Sequence, residues 1–450
     1  MAMSKGTRIS LIYGDALTII GDQPLGAGGQ GEVYLVDYKG KNCALKWYTS
    51  KNLRESQIFK ENLRNNISKG APDESFIWPM DMTSDYNGSF GYVMELIPKD
   101  YEQLTYVLKT YKVKNKGKST EKVSVRWKSF NAKIKAAVNI VSAFRNLHKI
   151  GKSYQDLNDG SLLFDLETGD VKICDCDNIS DDFSSVSNIA GKFGYMAPEV
   201  VMRKEKPSVN TDKFSLAVIL FKLFFMGHPL EGAKREDYDN GFSDKASYEM
   251  YGSKAVFVYD PKDESNRPIP GVDNNVIKLW DYYPQYFKNM FVRAFTDGMY
   301  DASKRPTEIE WLEILKKMYS ETVFCKCGCP PQFISSQDAS KGYYTCPKCD
   351  EQYPIMDVTR GRSVISIALT PTTQMYSCQL RGDHDFDTVV GKVKENDKRP
   401  GLFGLKNLTE NDTWITSKGT PIKPNQGYLI QSNLEIDFGN KCKGKIRELK

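Results

Sequence analysis

Gly26, Gly28 and Gly31 recur at G-x-G-x-x-G spacing within Leu25-Gly26-Ala27-Gly28-Gly29-Gln30-Gly31-Glu32-Val33, and the strand pattern after them constrains the fold more than any other feature of the chain. A dinucleotide-binding glycine loop passes directly from a strand into a helix. Here Val33-Tyr34-Leu35-Val36 instead continues as a strand toward Cys43-Ala44-Leu45-Lys46. The glycines therefore belong to a hairpin whose backbone N–H groups can close over nucleotide phosphates. Lys46 lies fifteen residues past Gly31 in an apolar strand. Such a lysine needs either solvent or an anion, and phosphates covered by the glycine hairpin would supply the anion.

The surrounding pattern predicts a β-rich lobe followed by a helical one. From Leu17 to Tyr48 short β-rich runs are broken by glycines, with a turn at Lys39-Gly40, as in an antiparallel meander. Residues 53–69 read as a helix, Phe90–Leu96 as a strand, and the lysine-rich stretch 112–124 as an exposed loop. Apolar residues at helical spacing predict helices over Phe130–Leu147 and over 212–226, 284–299 and 307–319. Phe214–Met226 is the most apolar stretch, too short to cross a bilayer and expected to form a buried helix. Two acidic residues stand out in this half. Asp156, in Tyr154-Gln155-Asp156-Leu157-Asn158, is a candidate general base, and nineteen residues on, the strand-like Val171-Lys172-Ile173-Cys174 ends at Asp175, suited to a hard cation.

In this order and spacing the residues resemble the protein kinase family across about 300 positions. The resemblance implies an α+β two-lobed kinase fold over residues 1–320, with a β-rich lobe at about 8–97 and a helical lobe at about 98–320. It makes Gly26, Gly28 and Gly31 the phosphate-covering loop, with Val33 beside it, and Lys46 the lysine that grips the phosphates. The lysine's ion-pair partner is expected on the following helix, at Glu61 or, second, at Glu55. Met94, Glu95 and Ile97 fall where the family contacts adenine. Asp156 takes the catalytic aspartate's place and Asp175 that of the magnesium ligand. Ala197-Pro198-Glu199 closes the activation segment, Asp212 braces the catalytic loop, and Arg305 pairs with Glu199. The implied activity is ATP-dependent phosphorylation of protein serine or threonine, with Mg2+ or Mn2+ as cofactor.

Three positions depart from the family. Gln155 replaces the arginine before the catalytic aspartate, removing the cation that an activation-loop phosphate would engage. The metal-binding triplet reads Asp175-Cys176-Asp177 and lacks the usual phenylalanine. Ser161 stands where an asparagine would supply the second magnesium ligand, and a hydroxyl reaches less far. That last change leaves a nucleotide-binding pseudokinase scaffold as the alternative to an active enzyme.

At 450 residues the chain exceeds what one core usually fills. Five cysteines, Cys325, Cys327, Cys329, Cys346 and Cys349, fall within 25 residues, a density that points to metal in a reducing compartment. They resemble a zinc ribbon over residues 321–356, with Cys325, Cys327, Cys346 and Cys349 as ligands of a structural Zn2+ and Cys329 as the alternate. Residues 360–450 return to short strands and turns such as Pro424-Asn425-Gln426-Gly427, an all-β, sandwich-like domain weakly similar to the forkhead-associated fold. Lys392 and Asn407 are its candidate phosphate contacts, and a phosphopeptide its implied ligand.

Sixty-two basic against 57 acidic side chains give a formal charge of +5, too small an excess to imply nucleic acid or a membrane surface. No basic recognition helix is evident. The first ten residues carry no apolar run before a cleavage site, so the cytoplasm is expected. The phrases Ser153–Gly160 and Gly194–Val200 look like those of bacterial kinases found alongside PP2C-type phosphatases and von Willebrand A-type proteins, which are thereby implied as partners besides protein substrates.

Overall fold

Alternating apolar and polar residues from Arg8 onward build an antiparallel sheet of β1 (Arg8–Ser10), β2 (Ala16–Ile19), β3 (Gly26–Ala27), β4 (Gly31–Tyr38), β5 (Lys41–Tyr48), β6 (Asp81–Met82) and β7 (Gly91–Met94). Its order is β1-β2-β4-β5-β7-β6, with β3 folded back on β4. Lys39 and Gly40 both take positive φ, 54° and 76°. That is the two-residue turn whose twist suits right-handed strands, and it sets the β4–β5 register in which Val33 faces Lys46. One sheet face buries Ile9, Leu17, Ile19, Tyr34, Val36 and Leu45. The other packs Ala44, Tyr48, Tyr92 and Met94 on Phe59 and Leu63.

The structure, a computed structural model, describes residues 3–108, 110–113, 121–124, 126–184, 191–238, 243–396 and 398–447. The chain divides into two compact units, Met1–Tyr282 with Lys288–Trp311, and Tyr283–Phe287 with Leu312–Lys450.

The helix expected over 53–69 is two helices, α1 (Lys51–Glu55) and α2 (Gln57–Lys69). Ser56 between them is extended, and its hydroxyl accepts from the Phe59 N–H at 3.2 Å, starting α2 as an N-cap. The loop expected over 112–124 is in part a hairpin of β9 (Thr110–Val113) and β10 (Glu121–Ser124), which come after β8 (Glu102–Gln103) and α3 (Leu104–Val107); residues 114–120 lie outside the described ones. Helix α4 (Phe130–Lys149), capped by Ser129, then leads into four short strands, β11 (Lys152–Ser153), β12 (Leu162–Phe164), β13 (Val171–Ile173) and β14 (Ser180–Asp181). Beyond α5 (Pro198–Val201), α6 (Val209–Phe225) is buried nearly all round, as its apolar sequence requires. The expected later helices are α9 (Gln285–Phe295) and α11 (Glu308–Glu321), accompanied by α7 (Asp244–Tyr248), α8 (Asn274–Tyr282) and α10 (Asp297–Tyr300). No helix among the described residues is long and apolar enough to cross a membrane.

In the second unit β15 (Thr322–Val323) and β16 (Gln332–Phe333) form a hairpin, and α12 (Ser336–Lys341) leads into β17 (Tyr343–Thr345). A seven-stranded sheet joins β17 to β18 (Gln352–Arg360), β27 (Cys442–Ile446), β26 (Glu435–Gly439), β23 (Trp414–Thr416) and β24 (Pro421–Ile422), with β19 (Ser363–Ala368) also on β18. A four-stranded sheet runs β20 (Gln374–Tyr376), β21 (Val389–Asn396), β22 (Arg399–Asn407) and β25 (Gly427–Leu429). Side chains from both sheets, among them Met356, Val358, Leu405, Trp414 and Ile436, close one core between them. The boundary expected between a ribbon at 321–356 and a β domain at 360–450 falls within or beside a single strand, β18. Strand β18 pairs with β17 on the cysteine side and with β19 and β27 of the sandwich, so one strand serves both.

Candidate active site

The glycine hairpin is closed by Leu25 N–H to Val33 O at 2.7 Å and Gly28 N–H to Gly31 O at 2.9 Å. Its glycines have different reasons to be glycine. A Cβ on Gly31 would lie 2.1 Å from the Trp47 carbonyl oxygen, so the close approach of β5 demands its absence. A Cβ on Gly26 or Gly28 would meet nothing within 4 Å. No packing among the described residues excludes a side chain there, and the open backbone suits the close approach of phosphates.

Lys46 is 7% exposed and directs its ammonium to two carboxylates, Asp175 Oδ1 at 3.2 Å and Asp177 Oδ2 at 2.9 Å. Burial alone would lower its pKa, but the charges of Asp177 and Asp175 outweigh burial and raise it, so the lysine is cationic. Asp175 comes just after β13 at φ 58°, and this left-handed residue starts the short turn Cys176–Asn178. Its side chain is 53% exposed and can reach a ligand, whereas Asp177 is fully buried and also accepts the Tyr48 hydroxyl at 2.6 Å. Asp156 lies within electrostatic reach of Asp175. Burial and then the Asp175 charge hold the Asp156 carboxyl above its ordinary range, against donation from Asn158.

A second set of contacts holds the Asp156 loop. Asp212, buried near the start of α6, accepts the Tyr154 N–H at 2.5 Å and the Gln155 N–H at 3.1 Å. The same carboxylate accepts His148 Nε2 at 3.1 Å, and His148 Nδ1 meets Glu308 at 2.6 Å. Arg305 is 3% exposed and grips Glu199 with two bonds of 2.7 and 2.8 Å. Gln155, at φ 74°, donates its amide to Ser180 Oγ and to Ser184 O at 2.7 Å, so a neutral network stands where the family has a cation. Asp159, three residues past Asp156, pairs with Lys192 at 2.8 Å.

Glu61 and Glu55 are both exposed, and Lys46 pairs with Asp175 and Asp177 instead of either. The inner edge of α2 carries Asn62 and Asn66, each donating to Ile179 O at 2.8 Å. Ser161 is 1% exposed, and its hydroxyl turns to the Asp156 carbonyl oxygen at 3.4 Å. Met94 ends β7 within the core, while Glu95 and Ile97 after it are exposed. Tyr48, Asp177, His148, Glu308 and Lys192 were not picked from the sequence. For Tyr48 the available signal was its position two residues past Lys46, on the same strand face.

The sulfur atoms of Cys325, Cys327, Cys346 and Cys349 all lie within 4.8 Å of one another. Cys325 and Cys349 are 3.5 Å apart, and Cys327 and Cys346 3.8 Å. A disulfide would need about 2.05 Å, while four sulfurs about 2.3 Å from a tetrahedral zinc sit about 3.8 Å from each other. The cluster fits zinc. Burial pushes the Cys346 thiol up, but the N–H groups of Lys348 and Cys349 pull it down to about 6, favouring the thiolate a metal requires. Cys329 also lies near, 3.7 Å from Cys346.

On β22, Asn407 is fully buried; its amide donates to Asp412 O and Ile422 O, and its oxygen accepts from the Thr409 N–H and hydroxyl. These bonds fill the valences of its amide and tie loops together. Lys392, on β21, faces Gln374 and Lys406 in the strand register.

Glycine hairpin, buried lysine and metal-suited aspartate, with a braced second aspartate in a helical lobe, define the two-lobed architecture of a protein kinase. A protein kinase domain model matches residues 20–319, and the chain belongs to the protein kinase family. It is similar to human ribosomal protein S6 kinase alpha-4, 26% identical over 217 residues, covering 47% of this chain and 27% of that protein. It is also similar to the serine/threonine-protein kinase mos of Patiria pectinifera, 24% identical over 226 residues, covering 47% of this chain and 58% of the relative. Human beta-adrenergic receptor kinase 1 is 35% identical over 103 residues, 22% of this chain and 15% of its own length. The chain thus spans less than two thirds of the length of each of these curated relatives.

Proposed function

We propose that the chain transfers the γ-phosphate of ATP to serine or threonine hydroxyls of proteins. The observation that carries this reading is the 3.2 Å approach of Lys46, on a strand beside the glycine hairpin, to Asp175, 129 residues later. Phosphoryl transfer through a loose transition state needs positioning and charge stabilisation more than covalent chemistry. Lys46 would hold the phosphates, and Asp175, with an exposed carboxylate, would hold the magnesium. Bound there, magnesium supplies positive charge to the phosphate oxygens. Asp156 orients the substrate hydroxyl and accepts its proton; a carboxyl held above its ordinary range by burial is the better proton acceptor. Glu95 and Ile97, exposed past the end of β7, contact adenine together with Met94 and Val33. Ser161 is assigned to holding the catalytic loop, because its hydroxyl is buried against it. Each electrostatic contact of this kind contributes roughly 3–4 kcal/mol to the barrier reduction.

The cysteine cluster binds a structural zinc, since four thiolates leave no open position for catalysis. In the second unit a groove of about 370 Å³ lined by Lys394, Lys398, Lys406 and Asn425 gives an acidic or phosphorylated peptide a place to dock. The bacterial setting and the PP2C-type and von Willebrand A-type partners rest on the resemblance alone.

The test is transfer of labelled γ-phosphate by the full chain with magnesium, with mass spectrometry of the products. Transfer by the wild type and its loss in Asp156→Ala support the assignment. Nucleotide binding with no transfer under magnesium or manganese supports the scaffold reading instead.

A further inference from the structure

The carboxylate most deeply committed to Lys46 is neither the metal-suited aspartate nor a residue of α2. Asp177 is fully buried, meets the ammonium with both oxygens, Oδ2 at 2.9 Å and Oδ1 at 3.0 Å, and accepts the Tyr48 hydroxyl on Oδ2 at 2.6 Å. A buried carboxylate is costly unless paired and hydrogen-bonded. Asp175 has a half-exposed side chain that can turn to a ligand, whereas Asp177 has no path to solvent. Lys46 and Tyr48 are two positions apart on β5, so both donors project from one face of one strand. The Tyr48 ring is in turn fixed edge-on to Phe59, with centroids 5.2 Å apart, and against Phe90 at 4.9 Å.

Helix α2 contributes no charge to this arrangement. Its Asn62 and Asn66, one turn apart, reach Ile179 O, two residues beyond Asp177, and so clamp the turn with neutral amides. Glu61 is exposed.

We propose that Asp177 is the fixed counter-ion that positions Lys46 for the nucleotide's phosphates, so that the lysine is aligned by the same turn that carries Asp175 and independently of any carboxylate on α2. This rests on the phosphate-holding role proposed for Lys46. Asp177 touches neither nucleotide nor substrate and acts through the lysine. When Asp175 is drawn to the metal, Asp177 remains to hold the ammonium and its stem in place. A lysine aligned by a helix carboxylate can be switched off by moving the helix; here the partner travels with the metal-binding turn.

The experiment measures the dissociation constant of a fluorescent ATP analogue with magnesium for the full chain, with thermal unfolding as a folding check. A charge-assisted hydrogen bond is a matter of about 1.5–3 kcal/mol, so Asp177→Asn is expected to weaken binding by about ten- to a hundredfold. Glu61→Gln is expected to leave it within about twofold. In a Lys46→Ala background Asp177→Asn should have no further effect, because its action runs through the lysine. Should Asp177→Asn not fold, Tyr48→Phe serves, with a several-fold weakening that likewise vanishes without Lys46. Equal or tighter binding by Asp177→Asn, a loss reproduced by Glu61→Gln, or an effect undiminished in the Lys46→Ala background each overturns the proposal. A wild type that binds the nucleotide and transfers no phosphate overturns the transferase reading alone, and the binding cycle still decides the role of Asp177. A wild type that binds no nucleotide overturns both.

Discussion

His148 is expected to be an imidazolium at neutral pH and to titrate near 9. Its Nε2 faces Asp212 at 3.1 Å and its Nδ1 faces Glu308 at 2.6 Å, and since ionised carboxylates only accept, both nitrogens must donate. Burial opposes the charge, but hydrogen bonds to Asp212 and Glu308 outweigh it and raise the pKa from 6.5 to about 9. The side chain is only 6% exposed, so solvent screens the interaction little. A displacement from 6.5 to about 9 corresponds to about 3 kcal/mol of folding stability. Because the folded-state pKa is the higher one, that contribution is complete below pH 6.5 and is lost as pH rises through about 9. The loss reaches the site, since the Asp212 oxygen that meets His148 also accepts the Tyr154 N–H that holds the Asp156 loop.

The assay is a pH titration of histidine imidazole signals by NMR, feasible because the chain contains three histidines, His148, His228 and His384. His148→Gln assigns the relevant signal. His228 is the internal contrast: its Nε2 meets Gly194 O at 2.6 Å while Nδ1 accepts the Leu230 N–H at 3.1 Å, a neutral tautomer, and burial lowers its pKa. The stability difference between wild type and His148→Gln, measured by denaturant unfolding, should be largest below pH 6.5 and shrink above 9. A His148 signal that is neutral at pH 7.5 would refute the bridging imidazolium, and with it the alkaline weakening of the loop.

Gly31→Ala should lower the thermal midpoint and abolish nucleotide binding, because its Cβ would meet the Trp47 carbonyl at 2.1 Å; Gly28→Ala, with nothing within 4 Å, should change stability by no more than about 0.5 kcal/mol yet weaken binding. Thermal unfolding with nucleotide titration reads both. Arg305→Ala leaves the Glu199 carboxylate without its two bonds of 2.7 and 2.8 Å and should cost about 3–5 kcal/mol by denaturant unfolding, with Arg305→Lys recovering only part. Cys346→Ser should remove the zinc measured per chain by mass spectrometry and destabilise the second unit, while Cys329→Ser, outside the four-sulfur group, should retain it.

Features imposed by local chemistry were the legible ones. The Lys39-Gly40 turn, the buried helix that takes in Phe214–Phe225 and the Cys325, Cys327, Cys346 and Cys349 set all reflect what those residue types can do at those spacings. Features set by pairing between distant segments were not. Nothing near Gln352–Arg360 announces that one strand serves both the cysteine hairpins and the sandwich, because that depends on β27, some ninety residues later. The burial of Asn407 belongs with these, because an exposed and a fully bonded asparagine are identical in sequence. The Lys46 partner is an instructive intermediate. Phe59, Leu63 and Ile67 mark the inward stripe of α2, and Glu61, two residues and about 200° from Phe59, must then point outward. The helix phase thus already argued against Glu61, and only the family pattern argued for it. What the phase does not supply is the replacement. Asp177 becomes the partner because Asp175 takes a left-handed conformation at the head of a short turn, a backbone choice made where Ile179 is held by Asn62 and Asn66. A buried ammonium is costly without a counter-charge, and with Glu61 directed to solvent the carboxylates beside Lys46 are those of Asp175 and Asp177.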